Sequence, residues 1–251
     1  MILEKFIAGD TSTVAYKAIT EMMKDFDTDK AYADMIRLRI SGEIADKATD
    51  IYYVAHENGK ALSRHWCGYG KHKDAIGNWG NFYTKEEFRG QGIGGKLLKM
   101  WFEDFNNADD LPLCFCCSAN RDLTVNVYSR FGFRPALDGA EYGPLYLPCK
   151  GSPETFREFA DNYYKPSDVI IHKPVDVGYR HEIDCLLRFY FYNNKLDFGF
   201  GEMDYLEKGY LYAPEKTGML FSQDGHCVGW SYDGKIQIHP LYEKSEIIKE
   251  W

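Results

Sequence analysis

The sequence predicts an α/β (α+β) fold with a mixed central sheet flanked by helices, followed by a smaller α+β region that contains an antiparallel meander. Three observations lead to this prediction. Strand-like and helix-like patterns alternate from residue 1 to about residue 147, as in chains built around a mixed sheet. A glycine-rich segment, Arg89 to Lys96, lies between a strand pattern and a helix pattern. Two Asp-Gly pairs, at 224–225 and 233–234, separate three β-rich runs near the C-terminus, which is typical of hairpins.

Hydrophobic spacing predicts the elements before the glycine-rich segment. β-rich runs predict strands at Ile2 to Ala8, Asp50 to Ala55, Ala61 to Tyr69 and Asn78 to Thr84. Apolar residues at helical intervals predict two helices between the first two strands, one through Val14, Ile19 and Met22 and one through Met35, Ile36, Ile40 and Ile44. Asn58-Gly59 predicts a tight hairpin turn between the second and third strands.

After the glycine-rich segment the patterns alternate again. They predict a helix through Leu97, Leu98, Trp101, Phe102 and Phe105, a strand at Leu113 to Ser118, a short helix at Leu123 to Phe131 and extended pieces at Phe133 to Ala136 and Gly143 to Leu147. Gly132 ends the short helix, because glycine readily adopts the left-handed conformation found at helix C-termini.

A change of pattern near Pro148 to Gly151 divides the chain into a predicted domain of residues 1–148 and an appended α+β domain of residues 149–251. Ser152 followed by Pro153 predicts a helix start. Ile183 to Tyr192 fits a helix or a strand equally well. The meander strands are predicted at Met219 to Ser222, Cys227 to Tyr232 and Ile236 to His239.

Composition excludes several classes of protein. The 251 residues are 45% hydrophobic, which is enough for a buried core and excludes a disordered polymer. The net charge of -8 lies mostly after residue 150, so nucleic acid is not an expected partner. The sequence lacks an apolar run of the ~18 residues that a membrane span needs and shows no basic leader, so we expect a cytoplasmic protein without a membrane partner. The spacing of the seven cysteines predicts reduced thiols.

The segment Arg89 to Lys96 has the composition of a phosphate-binding turn. Glycines at 90, 92, 94 and 95 leave the main chain open to an anion, and the positive end of the following helix dipole points toward the turn. Arg89 and Lys96 add two positive charges. Glycine runs also form ordinary turns, so the segment by itself does not identify a ligand.

Two stretches together resemble the GNAT acetyltransferase superfamily. Phe82 to Leu98, a strand pattern followed by Arg89-Gly90-Gln91-Gly92-Ile93-Gly94 and an amphipathic helix pattern, resembles the family's acetyl-CoA pyrophosphate-binding motif. Ser118-Ala119-Asn120 with Tyr128 to Pro135 resembles the downstream motif, in which a helix carries a tyrosine and a Gly-Phe pair begins the next strand. The resemblance covers residues 1 to about 148. The sequence departs from the family at Glu86, where proline is usual, and at Leu123-Thr124-Val125, where alanine is usual.

This resemblance implies an N-acetyltransferase with acetyl-CoA as co-substrate and a primary amine as acceptor. It implies that main-chain amides from Gln91 to Lys96 hold the pyrophosphate, and that the pantetheine arm enters where the parallel strands 78–84 and 113–118 splay apart. It implies that Tyr128 protonates the departing thiolate; the alternative is a packing role. The implied cofactor-binding residues are Phe82, Tyr83, Thr84, Arg89, Gly90, Gln91, Gly92, Ile93, Gly94, Gly95, Lys96 and Asn120.

The motifs leave the general base, the acceptor and the alternative function unassigned. No residue is identified as the general base; Glu86, Glu87, His65 and His72 are the nearby titratable groups. The acceptor is a small-molecule or protein amine, and the acidic, tyrosine-rich C-terminal part favours a cationic one. A metal is not expected, because Cys114, Cys116 and Cys117 lack a second pair at zinc-ligand spacing. A non-catalytic acyl-CoA-binding sensor or interaction module is the alternative function, and a homodimer is compatible with the sequence.

Overall fold

The structure, a computed structural model, describes residues 1–24, 30–149, 151–187 and 205–250. The chain has the predicted mixed α/β fold, with a sheet flanked by helices and a second sheet in the C-terminal region. The strands are β1 Ile2–Ile7, β2 Ala48–Glu57, β3 Lys60–Gly70, β4 Ile76–Thr84, β5 Cys114–Ala119, β6 Arg134–Pro135, β7 Gly143–Pro148, β8 Val169–Pro174, β9 Thr217–Ser222, β10 Cys227–Tyr232, β11 Lys235–Ile238 and β12 Glu246–Lys249. The helices are α1 Val14–Lys24, α2 Lys30–Ser41, α3 Ile93–Asn107, α4 Arg121–Asn126, α5 Phe156–Tyr163 and α6 Tyr205–Tyr212.

The chain folds into two compact units. The first contains Met1–Lys71 and Asn78–Leu111, and the second contains His72–Gly77 and Pro112–Trp251. The hydrophobic core of the second unit includes residues on both sides of position 148, among them Cys116, Tyr146, Phe159 and Trp230. The domain boundary near residue 148 stays a prediction.

Strands β1 to β4 of the first unit lie side by side in sequence order. β1 pairs antiparallel with β2, and β2 pairs antiparallel with β3. The predicted hairpin turn is confirmed, since Asn58 and Gly59 both have positive φ, 50° and 75°. This backbone matches the turn type that Asn-Gly favours between two strands.

Helices cover both faces of β2 and β3, and therefore most residues of these strands are buried. Tyr52 of β2 stacks on Phe6 at 5.2 Å and joins the core that includes Ile19 of α1. The next residue, Tyr53, donates a hydrogen bond to Asp104 of α3 at 2.9 Å. The alternation of side chains along a strand thus sends adjacent tyrosines to different helices.

The second unit contains the antiparallel strands β5, β7 and β6, which lie in that order, and a five-stranded sheet. The order in the five-stranded sheet is β11-β10-β9-β8-β12. The predicted meander is confirmed as β9, β10 and β11. β8 extends the sheet antiparallel to β9, and β12 closes the edge parallel to β8.

The predicted helix start at Ser152 is wrong. Helix α5 begins at Phe156, because Thr155 accepts a hydrogen bond from the Glu158 amide at 3.2 Å and so caps the helix. The Ser152 hydroxyl instead donates to the Leu113 carbonyl at 2.6 Å. Of the ambiguous run Ile183 to Tyr192, residues 183–187 belong to the π-helical turn Glu182–Leu187, and residues 188–192 lie outside the described residues.

Within the described parts of the chain, no helix is both long and apolar enough to cross a membrane.

Candidate functional site

The glycine-rich segment forms a turn between β4 and α3. β4 ends at Thr84, a single 3-10 turn covers Glu86–Phe88, and α3 begins at Ile93. Gly90 and Gly92 have φ of 75° and 71°, in the left-handed region that favours glycine. The chain therefore turns from strand to helix through Gly90 and Gly92, whose backbone conformation would be strained in any other residue.

The N-terminus of α3 presents main-chain donors without a side-chain cap. Gly92 occupies the cap position, and no side chain of the described residues caps the helix. The hydrogen bond from the Lys96 amide to the Gly92 carbonyl, 3.2 Å, is the first of the helix. The amides of Ile93, Gly94 and Gly95 precede it and point out of the helix end. Three donors at the positive end of a helix dipole form an arrangement that binds anions.

The surface over this turn is open at three of the four glycines. A Cβ placed on Gly90, Gly92 or Gly95 would meet no atom within 4 Å. A Cβ on Gly94 would lie 2.5 Å from Cζ of Phe82. Gly90, Gly92 and Gly95 thus leave room for a ligand beside the main chain, whereas Gly94 leaves room for the Phe82 ring.

Charged and amide side chains of the turn contact its own main chain. Nε of Arg89 donates to the Thr84 carbonyl at 3.1 Å, and its guanidinium lies 5.9 Å from the centre of the Tyr83 ring. Nε2 of Gln91 donates to the Glu87 carbonyl at 3.2 Å. Lys96 is exposed in the first turn of α3. These contacts brace the turn, and Lys96 adds a positive charge at the helix start.

One residue outside both sequence motifs contacts the end of β4. The Ser63 hydroxyl on β3 donates to the Tyr83 carbonyl at 3.0 Å and lies 2.8 Å from the Thr84 hydroxyl oxygen. Sequence reasoning missed Ser63, because a single serine within a buried strand carries no spacing signal. In the first unit the structure therefore joins Tyr83 and Thr84 to a serine of the neighbouring strand, and Thr84 to Arg89 of the turn.

Asn120 and Tyr128 belong to the second unit. The Asn120 side chain caps α4 by accepting a hydrogen bond from the Leu123 amide at 3.0 Å. Tyr128 is buried in a 3-10 turn, and its ring packs 5.7 Å from that of Phe133. Burial raises the pKa of the Tyr128 phenol, and the nearby Cys117 thiol raises it further. At neutral pH Tyr128 is therefore an O–H donor.

The two histidines near the motifs have different environments. His65 is fully buried beside Trp79 and Trp101, with ring centres at 4.4 and 5.7 Å. Burial lowers the pKa of His65 to about 3, so its ring is neutral. His72 pairs with Glu182 in the second unit, with Nε2 3.1 Å from Oε1. Glu86 and Glu87 are exposed in the turn. His65, His72 and the pair Glu86 and Glu87 are therefore not assigned as the general base.

Among the residues that the structure describes, no group of three histidine, cysteine, aspartate or glutamate side chains is placed to hold a metal ion. All seven cysteines are free and buried.

A family model identifies the central part of the chain. Residues 48–135 match the model of the acetyltransferase (GNAT) domain. This segment contains the glycine-rich turn, Ser63, Asn120 and Tyr128. The chain thus carries a segment, residues 48–135, that matches the GNAT acetyltransferase domain. No curated protein matches the chain.

Several solved structures resemble part of the chain at low sequence identity. Escherichia coli ElaA is 15% identical, with a TM-score of 0.43, over 60% of this chain and 100% of that one. An acyl-CoA N-acyltransferase from Pseudomonas aeruginosa is 14% identical, with a TM-score of 0.43, over 59% of this chain and 99% of that one. Arabidopsis thaliana NAA60, in complex with a bisubstrate analogue, is 11% identical, with a TM-score of 0.40, over 60% of this chain and 100% of that one.

Proposed function

We propose that this protein is an N-acetyltransferase that moves an acetyl group from acetyl-CoA to a primary amine. The observation that supports the proposal best is the open, uncapped N-terminus of α3, because it lies within the segment that matches the GNAT domain. An uncapped helix end with glycines on its approach suits a diphosphate, which needs several convergent N–H donors.

The turn residues bind the co-substrate in this proposal. Main-chain amides from Gln91 to Lys96 donate hydrogen bonds to the diphosphate oxygens, and the Lys96 ammonium balances part of their charge. The end of β4, Phe82 to Thr84, runs beside the pantetheine arm. Asn120, whose Oδ1 caps α4, is the further residue that we expect to contact the co-substrate. Bound acetyl-CoA supplies the acetyl group as a thioester with a thiolate leaving group.

Tyr128 acts as the proton donor to the departing sulfur. Its phenol keeps its proton at neutral pH, because burial raises its pKa. The amine nitrogen attacks the thioester carbon and the carbon–sulfur bond breaks. The phenol O–H stabilises the departing thiolate and passes its proton to sulfur, and the proton that the amine nitrogen loses restores the phenol by way of solvent. His65 does not serve as the base that takes the ammonium proton, because its ring lies buried among aromatic side chains.

The acceptor that we propose is a cationic amine on a small molecule or a protein. Most of the net charge of -8 lies after residue 150, and ten of the nineteen tyrosines follow that position. Negative charge and aromatic rings attract ammonium groups.

Two measurements test the proposal. Calorimetric titration with acetyl-CoA is expected to show binding, and absence of binding at millimolar ligand would end the proposal. Thiol release is then followed with a panel of polyamines, aminoglycosides and peptides. We expect Tyr128→Phe to lower the rate about 10²-fold with unchanged acetyl-CoA affinity. A wild-type protein that binds CoA but releases no thiol with any amine would instead be a non-catalytic acyl-CoA-binding module.

A further inference from the structure

Two side chains of β3 contact carbonyl groups of β4 on either side of an irregular residue. The Ser63 hydroxyl donates to the Tyr83 carbonyl at 3.0 Å, and Nδ1 of His65 lies 3.3 Å from the Gly80 carbonyl. A carbonyl only accepts hydrogen bonds, so the His65 proton resides on Nδ1. Both side chains are fully buried, with exposed fractions of 0%. The strand that leads into the turn is therefore held from β3 by side chains as well as by main chain.

The irregular residue is Asn81, which has a φ of 50° in the middle of β4. In a regular strand successive carbonyls alternate in direction, so the carbonyls of residues 80 and 82 would face the same side. Side chains of β3 instead reach residues 80 and 83. This offset of one residue is the signature of a β-bulge, which shifts every later residue of the strand by one position.

Ser63 also connects the end of β4 to the turn. Its single proton goes to the Tyr83 carbonyl, so the Thr84 hydroxyl, 2.8 Å away, donates to the Ser63 oxygen. The Thr84 carbonyl in turn accepts from Nε of Arg89 at 3.1 Å. A continuous chain of hydrogen bonds thus runs from β3 through the end of β4 to the first residue of the glycine-rich turn.

We propose that Ser63 is a positioning residue for acyl-CoA. Its hydroxyl fixes which carbonyl groups of β4 face β3 after the Asn81 bulge. The main chain of Phe82 is then turned away from β3, and the Thr84 carbonyl is held where Arg89 reaches it. This inference rests on the proposed function, because it assumes that acyl-CoA binds beside Phe82 to Thr84 and on the turn. Ser63 itself does not touch the ligand. It acts through the Tyr83 carbonyl and the Thr84 hydroxyl.

The test removes either end of the Ser63 contact in the full-length protein. We expect Ser63→Ala to weaken CoA binding about 5- to 10-fold, the effect of one lost hydrogen bond at a site that orders the ligand's surroundings. Thr84→Val is expected to weaken binding by at least a similar factor, and Thr84→Ser, which keeps the hydroxyl, to weaken it less than Thr84→Val does. The double variant is expected to cost no more than the larger single effect, because both changes break one chain of hydrogen bonds.

Ser231→Ala is the matched control. Ser231 is also a buried strand serine, and its hydroxyl lies 2.7 Å from Nε2 of His172 in the second unit. Its loss is expected to lower the melting temperature about as much as Ser63→Ala, with CoA affinity unchanged. In steady-state assays Ser63→Ala is expected to raise the KM for acetyl-CoA and leave the KM for the amine and kcat within twofold.

The outcomes separate this inference from the proposed function. A wild-type protein that does not bind CoA would overturn the proposed function. A wild-type protein that binds CoA, together with Ser63→Ala and Thr84→Val variants of unchanged affinity, would overturn the positioning role alone. If Ser63→Ala fails to fold, Ser63→Cys decides the question, because a thiol of similar size replaces the hydroxyl with a weak donor, and unchanged CoA affinity in that variant would overturn the positioning role.

Discussion

The four glycines of the turn differ in what they contribute. Gly90 and Gly92 supply left-handed backbone, and Gly95 leaves open surface in the first turn of α3. Gly94 is buried, and a Cβ there would lie 2.5 and 2.9 Å from Cζ and Cε2 of Phe82. From the sequence alone, all four glycines are predicted to expose the main chain to an anion. The structure shows that the missing side chain of Gly94 serves helix-to-strand packing.

Gly94→Ala is expected to destabilise the protein by about 1–3 kcal/mol, because the new methyl group forces the Phe82 ring from its place. Gly95→Ala is the control, since its Cβ meets no atom within 4 Å and alanine favours helix by up to ~1 kcal/mol. Chemical denaturation of the two variants measures both effects. Equal stabilities for the two variants would contradict the packing role of Gly94.

The connection between β3 and β4 is anchored by a buried carboxylate. Oε1 of Glu182 accepts a hydrogen bond from the Ile76 amide at 2.8 Å and lies 3.1 Å from Nε2 of His72. The His72 ring stacks on Tyr179 at 3.7 Å, and its Nδ1 lies 2.9 Å from the Lys73 carbonyl. Both ring nitrogens therefore face acceptors, an arrangement that favours the imidazolium form.

This pair predicts a pH dependence of stability. Burial lowers the pKa of His72, but hydrogen bonding to Glu182, its charge and the carbonyls of Lys73 and Gly178 outweigh burial, so the net pKa is raised. A raised folded-state pKa stabilises the protein fully below the unfolded value of about 6.5, and the contribution is lost as the pH rises through the folded-state pKa. We expect wild-type stability to fall more steeply above about pH 6.5 than that of His72→Gln. Parallel curves from denaturation at several pH values would contradict the charged pair.

Local signals determined which elements could be predicted. The Asn58-Gly59 hairpin, the meander and α3 each depend on residues near one another in sequence, and all three are confirmed. β12 could not be predicted, because all four of its residues are exposed and its partner β8 lies far away in sequence. The start of α5 was misplaced because Ser152 bonds to the distant Leu113 carbonyl. Ser63 could not be predicted either, because its proposed role depends on a bulge in the neighbouring strand β4.

At the scale of the whole molecule, one hydrophobic core extends across the predicted boundary at residue 148. Tyr146 packs on Phe156 and Phe159, with ring centres at 5.8 and 5.6 Å. Its core also contains Cys114 and Cys116 of β5 and residues as late as Tyr242. The strand that precedes Asn120 and Tyr128 is thus covered by side chains from the part of the chain that follows the boundary.

A chain that ends at residue 148 is therefore expected to lack cooperative unfolding and to bind a hydrophobic dye. Each aromatic side chain removed from the core forfeits about 2–3 kcal/mol of burial, and several such losses approach the whole stability of a typical domain, about 5–15 kcal/mol. Calorimetry and dye fluorescence of the truncated chain measure this. A truncated chain that unfolds cooperatively would show that residues 1–148 form an independent domain.

Ligand binding is expected to raise the stability of the full chain. At a CoA concentration of about 100 times Kd the folded state gains ~2.7 kcal/mol, which raises Tm by roughly 5–10 °C for a protein of this size. Pantetheine, which lacks the diphosphate, is expected to give a much smaller shift. Equal shifts with both ligands would mean that the diphosphate contributes little.

The most direct measurement follows the main-chain amides themselves. Amide resonances of the isotope-labelled protein are recorded by NMR during titration with CoA and, separately, with pantetheine. We expect the amides of residues 90–96 to shift strongly with CoA and to change little with pantetheine, because only CoA carries a diphosphate for the helix N-terminus. Binding of CoA that leaves these amides unmoved would contradict the assignment of the turn as the diphosphate site.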